Sequence, residues 1–322
     1  MRSSLVLGIA ALAATFSVAA APPSLPRQIN LVVGFAAGGN TDMAARILAN
    51  AMKQSLPIPI VVENRAGAGG TVGGAHVAKS PPDGSTLLVG SQSETTMLKA
   101  NRAKPPYDID KDFAPIAKIM DQDYVVVVPR SLGISTWEQF VALAKSRGSI
   151  SYATSGIGTT AHIMSEHLAT AMGVKAVHVP YQGASAFRAD LIAGRVDFAI
   201  DVIPLSLPLI ADGKLRALAV TQARRDDRLP NAPSLVQLGL FAEPYAGWTG
   251  VFAPRETPPE TRTAILEQVN RMLAGSGGEE IRKAGYRPAS SHQAAEDFAR
   301  FVASDQKRWI EIFQKIGVPP SP

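Results

Sequence analysis

The sequence predicts an α/β protein of two units, each a mostly parallel sheet flanked by helices, joined by two crossing strands. Three observations carry that expectation. From Asn30 onward, short β-branched runs alternate with helix-period segments, the pattern of parallel strands wrapped by helices. Two further apolar runs, residues 124–128 and 248–254, read as the segments that pass between units. The glycine- and hydroxyl-rich turns gather after strands, where open parallel sheets hold their ligands. The implied division puts 27–128 and 250–322 in one unit and 129–249 in the other, a hinged clamp.

The opening segment shows the local logic. Residues 31–35 are apolar or glycine with β-branched centres, which reads as a buried strand. Ala44, Ile47, Leu48 and Ala51 then recur at helical spacing, with Asn40 or Thr41 placed to cap the helix. Between them lies the turn Phe35, Ala36, Ala37, Gly38, Gly39, Asn40, Thr41, Asp42. Helix-start N–H groups there face outward at the positive end of a dipole, which suits a carboxylate but also an ordinary βα connection. A strand at 58–64 follows, then a glycine cluster at 67–74 leading to a short helix at 75–79. Next come a strand at 85–90, a polar loop beginning Ser91-Gln92, and a strand at 115–120.

In the second half, Ser135 and Glu138 form a capping box that opens a helix. A strand at 149–153 leads into a second glycine turn, Thr154 to Thr160, and a helix stopped by Gly173. A strand at 177–180 is followed by Tyr181-Gln182-Gly183 and a helix ending at Gly194. Residues 196–201 alternate as a strand ending in Asp201, before a helix at 203–211 and a strand at 215–221. Thr257 and Glu260 make another capping box, with proline at the first helical position. The last helix, 293–316, carries an apolar stripe on which Asp305 also falls, without an evident reason.

Composition narrows the function. A hydrophobic content of 46% with 18% charged residues fits a globular chain with a sizeable core. The net charge of +5 comes without a Lys/Arg run, and aromatics are 6%, so nucleic-acid binding is not expected. Cysteine is absent, which excludes disulfides, thiol catalysis, thiolate metal sites and a lipid-bearing cysteine. Met1-Arg2, an apolar run from Leu5 to Ala21 and small residues near Ala19–Ala21 read as a signal peptide of about residues 1–20, hence a periplasmic protein.

Catalytic motifs fail on spacing. From Gly67 and Gly69 the third glycine of a dinucleotide fingerprint would be residue 72, which is Val72. No P-loop pattern occurs, and Ser155 lacks the flanking glycines of a nucleophile elbow. His162 and His167 are five apart and so leave a common helix face. No metal, cofactor or catalytic residue is expected. What remains is a set of turns facing across a cleft: Phe35 to Asp42 with Ser91 and Gln92, against Ser155, Gly156, Gly158, Thr159, Thr160, Tyr181 and Asp201. None of these turns holds an arginine, so an anion there rests on backbone N–H groups, hydroxyls and water. Asp201 is either a helix cap before Pro204 or a partner for a ligand's amine, hydroxyl or water.

The turn Phe35–Asp42 with Ala45-Arg46 resembles the signature of the Bug-type, TctC-like periplasmic receptors of tripartite tricarboxylate transporters. The resemblance continues in order through Val61–Gly70, Pro82–Leu88, Tyr152–Thr159, His178–Gly183, Leu215–Val220, Arg228–Pro230 and Trp248–Pro254. It covers nearly all the chain after the signal segment. It implies a type II periplasmic-binding fold closing on a small carboxylate: a di- or tricarboxylate, an amino acid or an aromatic acid. In that family the carboxylate is gripped by backbone amides and waters; here this points to Phe35, Ala36, Ala37, Gly38, Gly39, Thr41 and Asp42 and to residues 155–160. Alanines at 36 and 37 depart from frequent prolines, and Ser85 from a frequent tyrosine. The implied partners are the membrane subunits of a transporter, with the receptor a monomer. The alternatives are a sensor of the same fold signalling to a membrane partner, or a periplasmic enzyme.

Overall fold

The computed structural model describes residues 25–317 and 320, so the signal-peptide expectation for residues 1–20 lies outside the described residues. The chain opens with β1 (Ile29–Val33), α1 (Asn40–Ser55), β2 (Ile60–Asn64), α2 (Thr71–Ala78) and β3 (Thr86–Ser91). Two short helices, α3 (Leu98–Asn101) and α4 (Ile109–Asp112), lead into the long strand β4 (Phe113–Pro129). Then come α5 (Trp137–Arg147), β5 (Ser149–Thr154), α6 (Thr160–Met172), β6 (Lys175–Pro180), α7 (Ala184–Ile192), β7 (Phe198–Val202), α8 (Ile203–Ala211) and β8 (Leu215–Val220). The chain returns through β9 (Ala246–Pro254), α9 (Pro259–Ala274), α10 (Ser276–Lys283), β10 (Arg287–Pro288) and α11 (Ala295–Ile316). None of the described helices is long and apolar enough to cross a membrane.

The strands run in the order β2-β1-β3-β9-β4-β7-β5-β6, with β8 and β10 also on β4. β1 pairs parallel with β2 and β3, and β5 pairs parallel with β6 and β7. β9 runs antiparallel to both β3 and β4, so the sheet is mixed.

Why β1 reads as an unbroken apolar run is now physical. Ile29, Leu31 and Val33 point into a core made with α1 and α9, while Val32 points to the opposite face, toward Val77 of α2 and Phe298 of α11. A parallel strand covered by helices on both faces has no solvent side to mark with polar residues. The same holds in β4, where Val126 and Val128 join one core and Val125 and Val127 the other. Each such side chain contributes about 1.5–3 kcal/mol by leaving water.

β4 corrects the sequence expectation of separate strands at 115–120 and 124–128. It is one strand of 17 residues. Its first part pairs with β9, from Phe113↔Pro254 to Asp123↔Ala246, and its last part with β7 and β8 from Tyr124 onward. The polar trio Asp121, Gln122, Asp123 that broke the apolar pattern sits where the partners change. Asp123 is buried and paired with Arg287 beside β10, and Gln122 is buried among polar partners. β9 correspondingly stays with β3 and the first part of β4. The return crossing lies just before it, where Tyr245 N–H donates to the Thr221 carbonyl and Thr221 Oγ1 to the Tyr245 carbonyl.

Local signals moved by a residue or two. α5 is capped by Thr136 with Gln139, one position after the expected Ser135–Glu138 pair. α9 has Pro258 at its cap and no side-chain cap, although a proline does occupy its first turn as expected. α2 begins at Thr71, inside the glycine cluster rather than after it. α10 and β10 had no counterpart in the sequence reading.

Asp305 also gains its reason. α11 spans both cores: Phe298 and Val302 pack with β1 and β3, whereas Trp309, Ile312 and Phe313 pack with β5 and β7. Asp305 lies buried between, accepting from Thr96 Oγ1 at 2.6 Å and from the Trp248 indole N–H at 2.9 Å. Burial raises its pKa more than these donors lower it. Asp305→Ala strands a buried hydroxyl and a buried indole N–H, and should lower unfolding free energy by about 2–4 kcal/mol. Urea denaturation measures it; an unchanged midpoint would refute the bridging role.

Candidate functional site

Three helices begin at one cleft of about 620 Å³: α1, α6 and α7 contribute Asn40 and Thr41, Thr160 and Ala161, and Ala184 to its lining. The first turn of each carries N–H groups without intrahelical partners. Contrary to the expected Asn40 or Thr41 cap, α1 is preceded by extended Gly39 and has no side-chain cap; α7, preceded by Gly183, has none either. α6 is partly satisfied. Thr159 Oγ1 accepts from His162 N–H at 3.4 Å, and Thr160 N–H reaches across the cleft to Ser93 Oγ at 3.1 Å.

Asn40 and Asp42 explain why α1 stays uncapped. Asn40 Nδ2 donates to Gln122 Oε1 at 2.7 Å. Asp42 turns to the back of the turn, accepting from Gly38 N–H (3.0 Å), Arg46 Nε (2.9 Å) and Asn64 Nδ2 (3.0 Å). Burial alone would raise its pKa, but these donors prevail and hold the carboxyl below its ordinary value. Asp42 thus shapes the turn and does not line the cleft, and Ala37 and Gly38 stand back with it.

Opposite, the turn after β5 is held by a column of rings. Tyr152, His178 and His162 stack with centroids 4.9 and 4.1 Å apart. His178 Nε2 meets Thr154 Oγ1 at 2.7 Å, and Gly158 N–H donates to His162 Nδ1 at 3.2 Å. That last bond requires an unprotonated Nδ1. Burial lowers both histidine pKa values, His178 to about 4 with help from His162; the Glu166 carboxylate partly opposes the shift at His162. Gly156 and Gly158 therefore build the turn from behind, while Ser155, Thr159 and Thr160 face the cleft.

The two sides touch at glycines. Gly183 (φ +135°) lies so near Ala36 that a Cβ would sit 3.0 Å from the Ala36 methyl. At Gly69 (φ +66°) a Cβ would fall 2.4 Å from the Ile157 carbonyl oxygen. Asn101 Nδ2 adds a buried bond to the Gly158 carbonyl at 2.7 Å. Side chains at either glycine would hold the two sides apart.

Among the described residues lining the cleft, Asp201 is the one carrying a formal charge, and that charge is already matched. Arg188 clamps it through Nε (2.7 Å) and Nη2 (2.8 Å), Ser206 Oγ donates at 2.9 Å, and Val202 N–H at 2.9 Å. The expected ligand amine is thus replaced by the protein's own guanidinium, which sequence reasoning missed because Arg188 lies a helix away. Burial tends to lower the Arg188 pKa, but the Asp201 partner raises it overall.

Of the expected site residues, Phe35, Ala36, Gly39, Thr41, Ser91, Ser155, Thr159, Thr160 and Asp201 come together. Gln92 does not: it fastens β9, donating to the Ala246 carbonyl at 2.8 Å and accepting from Trp248 N–H at 3.2 Å. Tyr181 lies with Gly156 in an adjoining recess of about 770 Å³, its hydroxyl donating to Asp190 at 2.7 Å. The sequence reading missed Ser93, Gln122, Tyr124, Phe187, Ile200 and Val202. Gln122 and Tyr124 sit mid-strand, and their one signal was the polar break in an apolar run. Burial pushes the Tyr124 phenol up to about 12, so it stays a neutral hydroxyl, accepting from Gln122 Nε2 at 3.2 Å. Phe35, Phe187, Ile200 and Val202 supply an apolar wall. Backbone donors at one end and apolar rings at the other suit an anionic head with a carbon skeleton.

Residues 44–318 match the family described as the tripartite tricarboxylate transporter family receptor, TctC, and the chain belongs to it. The chain is similar to the solved structure of R. palustris Rpa4515 with adipate, at 32% identity and a TM-score of 0.85, covering 92% of this chain and 99% of that one. It resembles the periplasmic binding protein BugD at 30% identity and a TM-score of 0.85, with the same coverage of 92% and 99%. MatC (Rpa3494) from Rhodopseudomonas palustris with bound malate is 30% identical, with a TM-score of 0.82 and coverage of 89% and 98%. The family consists of binding receptors, and the fold is that of periplasmic binding proteins.

Asp201→Ala leaves the Arg188 guanidinium buried without its carboxylate and should cost about 3–5 kcal/mol, whereas Asp201→Leu combined with Arg188→Met should recover most of it. Equilibrium urea unfolding of both variants decides; a mild effect of Asp201→Ala would show the pair to be dispensable. The histidine column gives a pH dependence of definite sign. Folded-state pKa values are depressed, so the unfolded chain binds more protons and stability falls as pH drops below about 6.5 toward 4. His178→Gln should flatten part of that fall. Melting temperatures at pH 7.5, 5.5 and 4.5 test it, and parallel profiles for wild type and variant would remove the histidine from the account.

Proposed function

We propose that this receptor binds a small carboxylate with its anionic head on the uncapped start of α1 and the Ser155–Thr160 turn. The ligand's carbon skeleton then lies on Phe35, Phe187, Ile200 and Val202. The carrying observation is the convergence of helix N-termini on a cleft whose one charged lining group, Asp201, is already paired. Helix starts attract an anion through unpaired N–H groups and the dipole, without a dedicated cation. The adipate and malate bound by two similar receptors support the same ligand class here.

In this reading the protein is exported to the periplasm by its N-terminal segment and acts as a monomer. It closes on its ligand by bending at the two crossings, near Gln122–Tyr124 and Thr221–Tyr245, and delivers it to the membrane subunits of a tripartite transporter. The units so moved are those expected from the sequence, 27–128 with 250–322 against 129–249. No catalytic step is assigned to the cleft.

A thermal-shift screen of organic acids, adipate and malate included, tests the ligand class, because a ligand held by the folded state alone raises its melting temperature. Thr41→Val should then weaken the best binder by roughly tenfold, the loss of one hydrogen bond to a charged group, with little change in the ligand-free melt. A diverse set of carboxylates producing no shift would overturn the proposal.

A further inference from the structure

Behind the cleft lies a carboxyl group with no part in the binding scheme so far. Glu94 is fully buried in the turn after β3. Its Oε1 accepts from Ser91 N–H at 2.8 Å, and its Oε2 lies 2.5 Å from Ser91 Oγ. Ser91 in turn lines the cleft. Gly70 covers the other side so closely that a Cβ there would lie 3.0 Å from the Glu94 side chain. Among the described residues no salt bridge reaches Glu94.

We propose that Glu94 is a positioning residue that sets, by its protonation, whether the Ser91 hydroxyl offers the ligand a proton or only lone pairs. The inference rests on the carboxylate reading of the cleft. Its logic is one of donors and acceptors. A backbone N–H only donates, so Oε1 always accepts from Ser91 and any carboxyl proton sits on Oε2. With that proton in place, Oε2–H donates to Ser91 Oγ, and the Ser91 hydroxyl hydrogen is free to turn toward a carboxylate in the cleft. When the proton leaves, the Ser91 O–H must donate to Oε2. The ligand then meets an oxygen without a donor, backed by a buried negative charge. Carboxylate uptake is in this way coupled to retention of one proton.

The surroundings permit the switch near neutral pH. Burial raises the Glu94 pKa to about 7 against the lowering effect of the Ser91 donors. The titratable groups facing it are phenols. Tyr107 donates its hydroxyl to the Glu94 backbone carbonyl at 2.5 Å, and burial holds its pKa well above the ordinary value, with Arg102 acting on it in the opposite sense. Tyr124, which senses the Glu94 charge from β4, is pushed up to about 12. Neither phenol titrates in the same range.

Glu94→Gln reproduces the protonated state: its amide oxygen accepts from Ser91 N–H and its NH₂ donates to Ser91 Oγ. Calorimetric titration with adipate and with malate at pH 6.5, 7.5 and 9 is the test, on the full chain and two variants. Wild-type affinity for the acid that binds should fall at least tenfold from pH 6.5 to 9, the size of a lost hydrogen bond to a charged group. Glu94→Gln should bind with its pH 6.5 strength throughout. Ser91→Ala should bind weakly at every pH, and it keeps the idea testable should Glu94→Gln fail to fold. Binding with the same pH profile in wild type and Glu94→Gln overturns this inference and leaves the carboxylate reading standing. Absence of binding by both acids in all three proteins at all three pH values overturns both.

Discussion

Because β4 gives its edges to two different sets of strands, the change of partners between Asp123 and Tyr124 fixes where the two halves of the molecule meet. At that point the strand cannot be apolar on both faces, since one face opens onto the space between the halves. Gln122 and Tyr124 line the cleft from there, and Asp123 is held by Arg287. Three turns then point into the same space because they all follow strands pairing, directly or through a neighbour, with this one: those after β1, β3 and β5. The site is a consequence of strand order. Its chemistry is a consequence of what begins at those strand ends, namely helices.

A cleft built from helix starts carries its positive potential in the backbone, and this changes what the side chains must do. A lysine or arginine in the wall would bind an anion more strongly in isolation, but at the cost of desolvating it each time the cleft closes. Unpaired N–H groups at α1 and α7 avoid that cost because their donors are fixed in place before the ligand arrives. The side chains of the turn are then freed for holding geometry. Asp42 ties Gly38 to Asn64, Asn40 reaches Gln122, and the stacked histidines brace the turn that ends at Thr160.

Much of this was legible before the structure, and the failures have a common cause. Alternating periods of strand and helix fixed the class of fold, and the turns at Phe35–Asp42 and Ser155–Thr160 declared themselves through glycines and hydroxyls adjacent in sequence. The misplaced assignments all concern partners distant in sequence. Asp42 and Gln92 look like site residues from composition, but Arg46 with Asn64 and the backbone of β9 claim them. Asp201 looked available to a ligand because nothing near it in sequence announces Arg188 as its mate. Asp305 looked misplaced on an apolar stripe until Trp248 and Thr96 arrived beside it. Phe187 and Ile200, the apolar wall, are indistinguishable in sequence from core residues, and no local pattern separates a side chain facing a cleft from one facing a core.

Counting charge around the cleft sharpens the physical picture further. Asp201 and Arg188 cancel, the histidines are kept neutral by burial, and Tyr124 stays a neutral hydroxyl. An anion entering this space meets oriented dipoles and almost no net charge, so its stabilisation depends on how many donors remain uncommitted. Each donor spent on an internal acceptor is one the ligand loses. Thr160 N–H spends its hydrogen on Ser93, and the Ser91 hydroxyl is tied to Glu94. In a site of this kind, selectivity is decided less by which residues line the wall than by which of their hydrogens the protein has already used.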